Sequence, residues 1–211
     1  MQKNKKIRGH KRIWKRIKIW VTNHKELDLE YVKNYQRDYS KVRVRPFSDL
    51  CLGNSILPAP KGKTRQKIID GLFEIHKNWK KQLDTINEPY YLKIWFYHPD
   101  VSKSQVVCAI GGYINFYNLT FHDPKENKPF PFNSNGLNWE HRINEDHFTE
   151  EDIIGDVSEW ISENEFLAHK KWLNKKLKQT HRITNEKYDD GVIKTYHSFK
   201  NSDIWLGSSS N

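Results

Sequence analysis

The sequence predicts an α+β protein in which long amphipathic helices cover an antiparallel sheet, made of a three-strand meander plus a C-terminal hairpin, with a basic helical N-terminal arm. Three observations lead to this fold class. Apolar residues recur every three or four positions across residues 64–86, which is the period of one helix face. Three runs rich in β-branched and aromatic residues follow between residues 90 and 121 and predict the meander. An Asp190-Gly191 pair between two further strand-like runs predicts the hairpin.

The N-terminal segment is predicted to be a basic amphipathic helix. Residues 1–20 contain nine basic residues and no acidic residue. The apolar residues with helical spacing are Ile13, Trp14, Ile17, Trp20 and Val21, which leaves the cations on the other faces. Ile17, Ile19 and Val21 also alternate as they would in a strand, so both structures remain open for this segment.

Residues 58–67, PAPKGKTRQK, combine a helix start with a group of cations. Proline excludes a helix before Gly62, and Thr64 is expected to cap the helix that follows. The cations are Lys61, Lys63, Arg65 and Lys67, and together with the free amides of the first helical turn they favour an anion. A nucleotide-binding phosphate loop needs a glycine where this chain has Leu57. The stretch therefore predicts a contact to a phosphate backbone and no nucleotide hydrolysis.

The meander presents aromatic rings beside cations on one sheet face. The rings assigned to nucleic-acid binding are Tyr91, Trp95 and Tyr113. Exposed aromatic rings on a sheet stack on unpaired bases, so this pattern is typical of proteins that bind single strands. The alternative is structural, because the helix over residues 64–86 has to cover a sheet face and the same rings are suited to lie beneath it.

The composition of two further stretches predicts their structure, and the charge and apolar patterns together predict the domain boundaries. Residues 122–138 are polar and rich in proline and asparagine, which predicts a long loop. Residues 148–165 carry only acidic charges and precede a lysine-rich stretch, a polarity that complements the dipole of one or two helices. The predicted divisions are an arm over residues 1–40, a single α+β domain over 41–203 and a loose C-terminal tail over 204–211.

The positive charge is concentrated in the first third of the chain. Residues 1–67 hold 19 Lys and Arg against 5 Asp and Glu, a balance of +14, whereas the whole chain carries +10. Such an asymmetry is typical of a surface that attracts phosphate groups or acidic lipids. No stretch approaches the roughly 20 apolar residues of a membrane span, and no apolar signal core is recognisable, so a cytoplasmic location is expected. Cys51 and Cys108 have no metal-ligand spacing, and we expect neither a metal nor a cofactor.

A histidine-rich run, WEHRINEDH at residues 139–147, contains the candidate catalytic residues. His141, Arg142 and His147 lie close together in a predicted loop and combine general bases with a cation. Arg142 and His147 also form an Arg-x4-His pattern that resembles the signature of the helical HEPN ribonucleases. The resemblance implies an all-helical dimer in which both residues face the scissile phosphate. The chain departs from that family at Ile143, where a polar residue is usual, and in its sheet-rich pattern.

These features favour a protein that binds nucleic acid, with RNA or single strands preferred. The phosphate contacts are assigned to Lys11, Arg12, Lys15 and Arg16 and to the four cations of residues 61–67. One alternative is a metal-independent ribonuclease that uses the three residues of the histidine-rich run. The others are a protein-interaction module that docks on an acidic partner and peripheral binding of residues 11–21 to an anionic membrane.

Overall fold

The computed structural model describes residues 10–34, 42–52, 59–111, 121–149 and 177–209, together with single positions between 162 and 175. The helices in these ranges are α1 (His10–Asn23), α2 (Leu29–Asn34), α3 (Pro46–Asp49) and α4 (Gly62–Leu83). The strands are β1 (Val42–Val44), β2 (Tyr90–His98), β3 (Gln105–Ile110), β4 (Phe121–His122), β5 (Leu137–Thr149), β6 (Arg182–Lys187) and β7 (Ile193–Ser209). Residues 150–161, where the sequence predicts an acidic helix, lie outside the described ranges.

The strands form a seven-stranded antiparallel sheet, which confirms the α+β class. The strand order is β1-β3-β2-β7-β5-β4, and β6 pairs with β7 outside this path. Within it, Val106 of β3 pairs with Val44 of β1 on one side and with Ile94 of β2 on the other. β2 and β3 coincide with the first two strands of the predicted meander. Residues 112–120, which hold most of its third strand, are not among the described residues.

The chain folds into two compact units, whereas the sequence predicts a single domain over residues 41–203. The first unit contains the described residues of Met1–Leu119, Pro124–Arg142 and Ile204–Asn211. The second contains those of Thr120–Asp123 and Ile143–Asp203. The division falls inside β5 and β7 and not in a linker. For that reason no proline, glycine or charge run marks it in the sequence.

α1 packs its apolar face against α4 in the core of the first unit. Ile17, Trp20 and Val21 are 3%, 4% and 5% exposed. The indole of Trp20 also donates a hydrogen bond to Asp49 over 2.9 Å. The residues of α4 in the same core are Ile68, Ile69, Leu72, Ile75, Trp79 and Leu83. The apolar spacing of residues 13–21 therefore does belong to a helix, but this helix is part of the core and not a detached arm.

Two glycines mark close approaches within the first unit. A Cβ atom at Gly71 of α4 would lie 2.6 Å from Cγ2 of Val21. A Cβ atom at Gly207 of β7 would lie 2.6 Å from the ring of Trp139. Side chains pack at distances well beyond these values, so both positions require a residue without a Cβ atom. Gly71 thereby sets how closely α1 approaches α4.

Replacing Gly71 with leucine is expected to lower the free energy of unfolding by about 1–3 kcal/mol, because the added carbons have no room beside Val21. Urea unfolding followed by tryptophan fluorescence measures this loss. Lys77→Leu is the matched control, since Lys77 is exposed on the same helix and a surface change costs less than about 0.5 kcal/mol. An equal loss in both variants would contradict the close packing of α1 on α4.

β5 is the largest difference between the predicted and the observed secondary structure. The sequence predicts a loop around residues 140–147, but a strand of 13 residues runs from Leu137 to Thr149. Its buried positions alternate at His141, Ile143 and Glu145. Two of these three inward residues are polar, so the hydrophobicity of the segment has no period of two and does not reveal the strand.

β7 extends beyond the predicted hairpin into the segment predicted as a loose tail over residues 204–211. It ends at Ser209. Ile204 and Trp205 are 0% and 3% exposed, and the Trp205 indole donates a hydrogen bond to the backbone carbonyl of Lys128 over 3.1 Å. Burial of two large apolar side chains orders this segment, although its serine-rich composition suggests a loose end.

The predicted hairpin is present in the second unit. β6 pairs with β7 from Arg182 opposite Ser198 to Lys187 opposite Ile193. Gly191 in the turn has a φ of +84°, a conformation that glycine adopts without steric cost. The Asp190-Gly191 pair therefore predicts the turn, because glycine readily adopts the backbone conformation that the turn requires.

Candidate functional site

A hydrogen bond joins the two basic segments of the first unit. The indole Nε1 of Trp14 donates to Oγ1 of Thr64 over 3.0 Å, across 50 positions of sequence. The ammonium of Lys67 lies 5.1 Å from the centre of the Trp14 ring, within the range of a cation–π interaction. These contacts place the N-terminal part of α1 beside the first turn of α4.

α1 and α4 run in the same direction. Trp14 contacts Thr64 near the start of both helices. Further along, Lys25 just after α1 forms an ion pair with Glu74 of α4. Both N-terminal ends therefore lie at the same end of the pair. Because unpaired amides give a helix N-terminus a partial positive charge, the start of α4 adds to the positive potential there.

The cations near this end of the two helices are exposed. They are Lys11, Arg12, Lys15, Arg16, Lys61, Lys63 and Lys67, and we call them the α1–α4 basic surface. Among the described carboxylates, none forms an ion pair with any of these side chains. Their positive charge is therefore not neutralised within the described part of the chain.

Two of the predicted phosphate-contact arginines hold the fold together. Arg16 donates a hydrogen bond to the backbone carbonyl of Leu50 over 2.9 Å. Arg65 is half-buried and donates to the backbone carbonyl of Pro99 over 3.1 Å. Substitution of either arginine is therefore expected to lower the stability of the fold as well as to change the binding of any ligand.

Thr64 does not cap α4, and the prediction that it does is wrong. The N-cap position is occupied by Lys61, whose side chain makes no capping hydrogen bond. The hydroxyl of Thr64 instead accepts the hydrogen bond from Trp14. No side chain of the N-cap residue therefore occupies the amides in the first turn of α4, which leaves them available to an anion.

Of the aromatic residues predicted to stack on bases, the two that the structure describes are buried or half-buried. Trp95 is 3% exposed, so its ring is not open to a nucleic acid. Tyr91 is half-buried, and its hydroxyl accepts a hydrogen bond from the Trp95 indole over 3.3 Å. Burial raises the pKa of Tyr91 above its ordinary value. Tyr113 lies outside the described residues. Trp95 does not lie beneath α4 as the structural alternative requires, because Leu92, Ile94 and Phe96 of β2 belong to the core that contains α4 and Trp95 alternates with them along the strand.

The three candidate catalytic residues all lie on β5, but the structure does not bring them together. His141 is 6% exposed, and its Nδ1 accepts a hydrogen bond from the backbone N–H of Lys128 over 3.0 Å. Arg142 projects to the opposite face, because side chains alternate along a strand, and it forms an ion pair with Glu140. His147 belongs to the second unit. The helical fold implied by the HEPN resemblance is wrong for this segment.

His147 belongs to a cluster of ionisable side chains in the second unit. Its Nε2 lies 3.2 Å from Nε2 of His122, and the two rings are inclined at 86°. Glu145 is 1% exposed, and its Oε2 lies 3.6 Å from Nε2 of His122. One ring nitrogen from each histidine and one carboxylate oxygen lie within 4.8 Å of one another. These three donors can hold a metal ion.

Three further polar side chains surround this cluster. Oγ of Ser198 lies 2.7 Å from Nδ1 of His147. Nε2 of His181 lies 3.3 Å from Oε1 of Glu145. Arg182 donates a hydrogen bond to Oε2 of Glu145 over 3.0 Å. The carboxylate is thus contacted by polar groups on both oxygens, which offsets the cost of burying it.

Burial and the neighbouring charges of the cluster shift the pKa of His122. Burial lowers the pKa of His122 below its ordinary value, and the positive charge of Arg182 lowers it further, whereas Glu145 acts in the opposite direction. His122 is therefore mainly neutral near pH 7, with a lone pair on one ring nitrogen.

Sequence reasoning missed this cluster because its members come from separate segments. His122 lies on β4, Glu145 and His147 on β5, and Arg182 on β6. The one local signal is the spacing of two between Glu145 and His147, which puts both side chains on the same face of a strand. A spacing of two places both side chains on one face only in a strand, and the sequence predicts a loop there.

Comparison of the chain with protein-family models, with curated proteins and with solved structures found no match.

Proposed function

We propose that the protein binds nucleic acid through the α1–α4 basic surface. The hydrogen bond between Trp14 and Thr64 carries this proposal, because it joins two basic segments into one surface. A phosphate backbone supplies regularly spaced negative charges, and their neutralisation releases counterions, which drives binding. The uncapped first turn of α4 adds amide donors that suit a phosphate oxygen.

The lysines of the surface, together with Arg12, are the phosphate contacts in this proposal. Arg16 and Arg65 act mainly as positioning residues, because each already donates to a backbone carbonyl. Phosphate contacts carry no information about the bases, so we expect similar affinities for different sequences. The preference for RNA or single strands over duplexes is part of the proposal.

The packing of α1 argues against peripheral binding to a membrane. Ile17, Trp20 and Val21 would have to enter the lipid, but these side chains are buried in the core of the first unit. Their insertion would require α1 to leave α4. Moreover, no helix among the described residues has the length and apolar character needed to cross a bilayer.

The affinity of the full chain for a labelled single-stranded RNA of about 20 nucleotides tests the proposal. Fluorescence anisotropy is measured over a range of NaCl concentrations. We expect log Kd to rise linearly with log salt, with a slope of about 4 if these six cations contact phosphates. Two RNAs of different sequence should give Kd values within a factor of about three of each other.

Competitors identify the class of partner. Duplex DNA of equal length should displace the RNA less well than single-stranded DNA does. Polyglutamate of similar charge should displace it only weakly, whereas equal displacement would favour an acidic protein partner. The proposal fails if the chain does not bind RNA even at about 50 mM NaCl, where phosphate contacts are strongest.

A further inference from the structure

The pairing of β4 with β5 places three potential ligands on one face of the sheet in the second unit. His122 lies opposite Ile143, and residues opposite each other in a ladder project to the same face. Glu145 and His147 follow Ile143 in steps of two, so they share that face. The side chains of His122 and His147 then approach each other to 3.2 Å, with Glu145 between Ile143 and His147 along β5.

Two of the three separations between the donor atoms are close to those around a tetrahedral zinc ion, and the third, between His147 and Glu145, is within 4.8 Å. Zinc lies about 2.0–2.2 Å from histidine nitrogens and carboxylate oxygens, so two ligands at the tetrahedral angle are about 3.4 Å apart. The observed separations are 3.2 Å between the two Nε2 atoms and 3.6 Å between Nε2 of His122 and Oε2 of Glu145. We propose that His122, Glu145 and His147 bind a zinc ion.

Neighbouring side chains orient these donors in the way that outer partners orient metal ligands. Ser198 contacts Nδ1 of His147, which leaves Nε2 of the same ring for the metal. In Glu145, Oε1 is contacted by His181, and Oε2, the oxygen near His122, also accepts a hydrogen bond from Arg182. Ligating carboxylates are themselves hydrogen-bonded in metal sites, and these contacts fit that pattern.

The types of donor favour zinc over the common hard cations. Mg²⁺ and Ca²⁺ prefer oxygen ligands, whereas imidazole nitrogens suit zinc and its neighbours in the first transition row. Three protein ligands leave the fourth tetrahedral position for solvent, as in open zinc sites. The side chain of His122 is 24% exposed, so solvent and metal can reach the cluster.

Metal binding by the full chain, produced without a histidine tag and treated with a chelator, tests this site. Isothermal titration with Zn²⁺ is expected to show one ion bound with a Kd below about 1 µM. Co²⁺ in place of Zn²⁺ should give the intense visible absorption of a four-coordinate ion. Zn²⁺ should also raise the Tm of the wild-type chain, because it binds the folded state.

Single substitutions locate the ion. His122→Asn and Glu145→Gln are each expected to weaken Zn²⁺ binding at least about 100-fold, and Ser198→Ala about 10-fold. Asp146→Asn is the matched control for Glu145→Gln, because Asp146 is the next residue of β5, is exposed and projects to the other face. This control should bind Zn²⁺ as the wild type does. Circular dichroism checks that each variant folds. If Glu145→Gln does not fold, His122→Asn decides the test, because His122 is partly exposed.

Two outcomes would overturn the proposal. The first is a wild-type chain that binds Zn²⁺ more weakly than about 100 µM, which would leave the cluster as an ion pair of Glu145 with Arg182. The second is tight binding that persists in both His122→Asn and Glu145→Gln, which would place the ion elsewhere in the chain.

Discussion

A variant with Lys11, Arg12, Lys15 and Lys63 all replaced by glutamine is expected to bind single-stranded RNA about 10²- to 10³-fold more weakly than the wild type at about 0.1 M NaCl. Each cation that contacts a phosphate contributes about 0.7 to the salt slope, so the slope should fall by about 3. The four side chains are exposed, and none pairs with a described carboxylate, so the fold should survive their loss. Anisotropy titrations at several salt concentrations measure both quantities.

A control variant removes the same number of charges from the second unit. Its substitutions to glutamine are at four exposed lysines, Lys171, Lys175, Lys187 and Lys194. We expect a loss of affinity below about 10-fold, because these residues act only through the net charge of the chain. Equal losses in the two variants would show that net charge, and not the α1–α4 basic surface, accounts for binding.

The stability of the protein below neutral pH is expected to depend on His76. This residue of α4 is 4% exposed, and its Nε2 has no hydrogen-bond partner among the described residues. Burial lowers the pKa of His76 to about 4, and the positive charge of Lys80 contributes in the same direction. A histidine in the unfolded chain titrates near 6.5. Between these two values the unfolded chain binds the proton and the folded chain does not, so stability falls as the pH decreases from about 6.5 to about 4.

The expected loss over this pH range is about 3 kcal/mol of unfolding free energy, at about 1.4 kcal/mol per pKa unit. His76→Leu should lack this loss, because it keeps an apolar side chain of similar size and removes the titrating group. Urea unfolding between about pH 7.5 and about pH 4.5 compares the two proteins. His24→Leu, at the half-buried position just after α1, should retain the pH dependence of the wild type. Parallel curves for the wild type and His76→Leu would contradict the prediction.

Elements with a strong local period are predictable from the sequence. Residues 64–86 repeat apolar side chains every three or four positions, and α4 occupies Gly62–Leu83. β2 and β3 follow the β-branched and aromatic runs, because most of their inward side chains are apolar. In these elements the secondary structure and the burial of each residue have the same cause, which is the separation of apolar from polar side chains.

β5 is not predictable from the local period of its sequence. Its inward positions include His141 and Glu145, whose burial is made acceptable by partners from other segments. Lys128 donates to His141, and Arg182 donates to Glu145. A polar residue is buried only where such partners exist, and the partners of a given residue are not visible from its neighbours in sequence.

The sequence by itself determined that the positive charge lies in the first third, that α4 is a long amphipathic helix and that a hairpin turns at Gly191. Only the tertiary structure decided that α1 meets the start of α4 through Trp14 and Thr64. It also decided that His122 reaches Glu145 and His147. Helix and strand periods depend on neighbouring residues, whereas these contacts depend on how helices cross and how strands align, which the packing of the whole core selects.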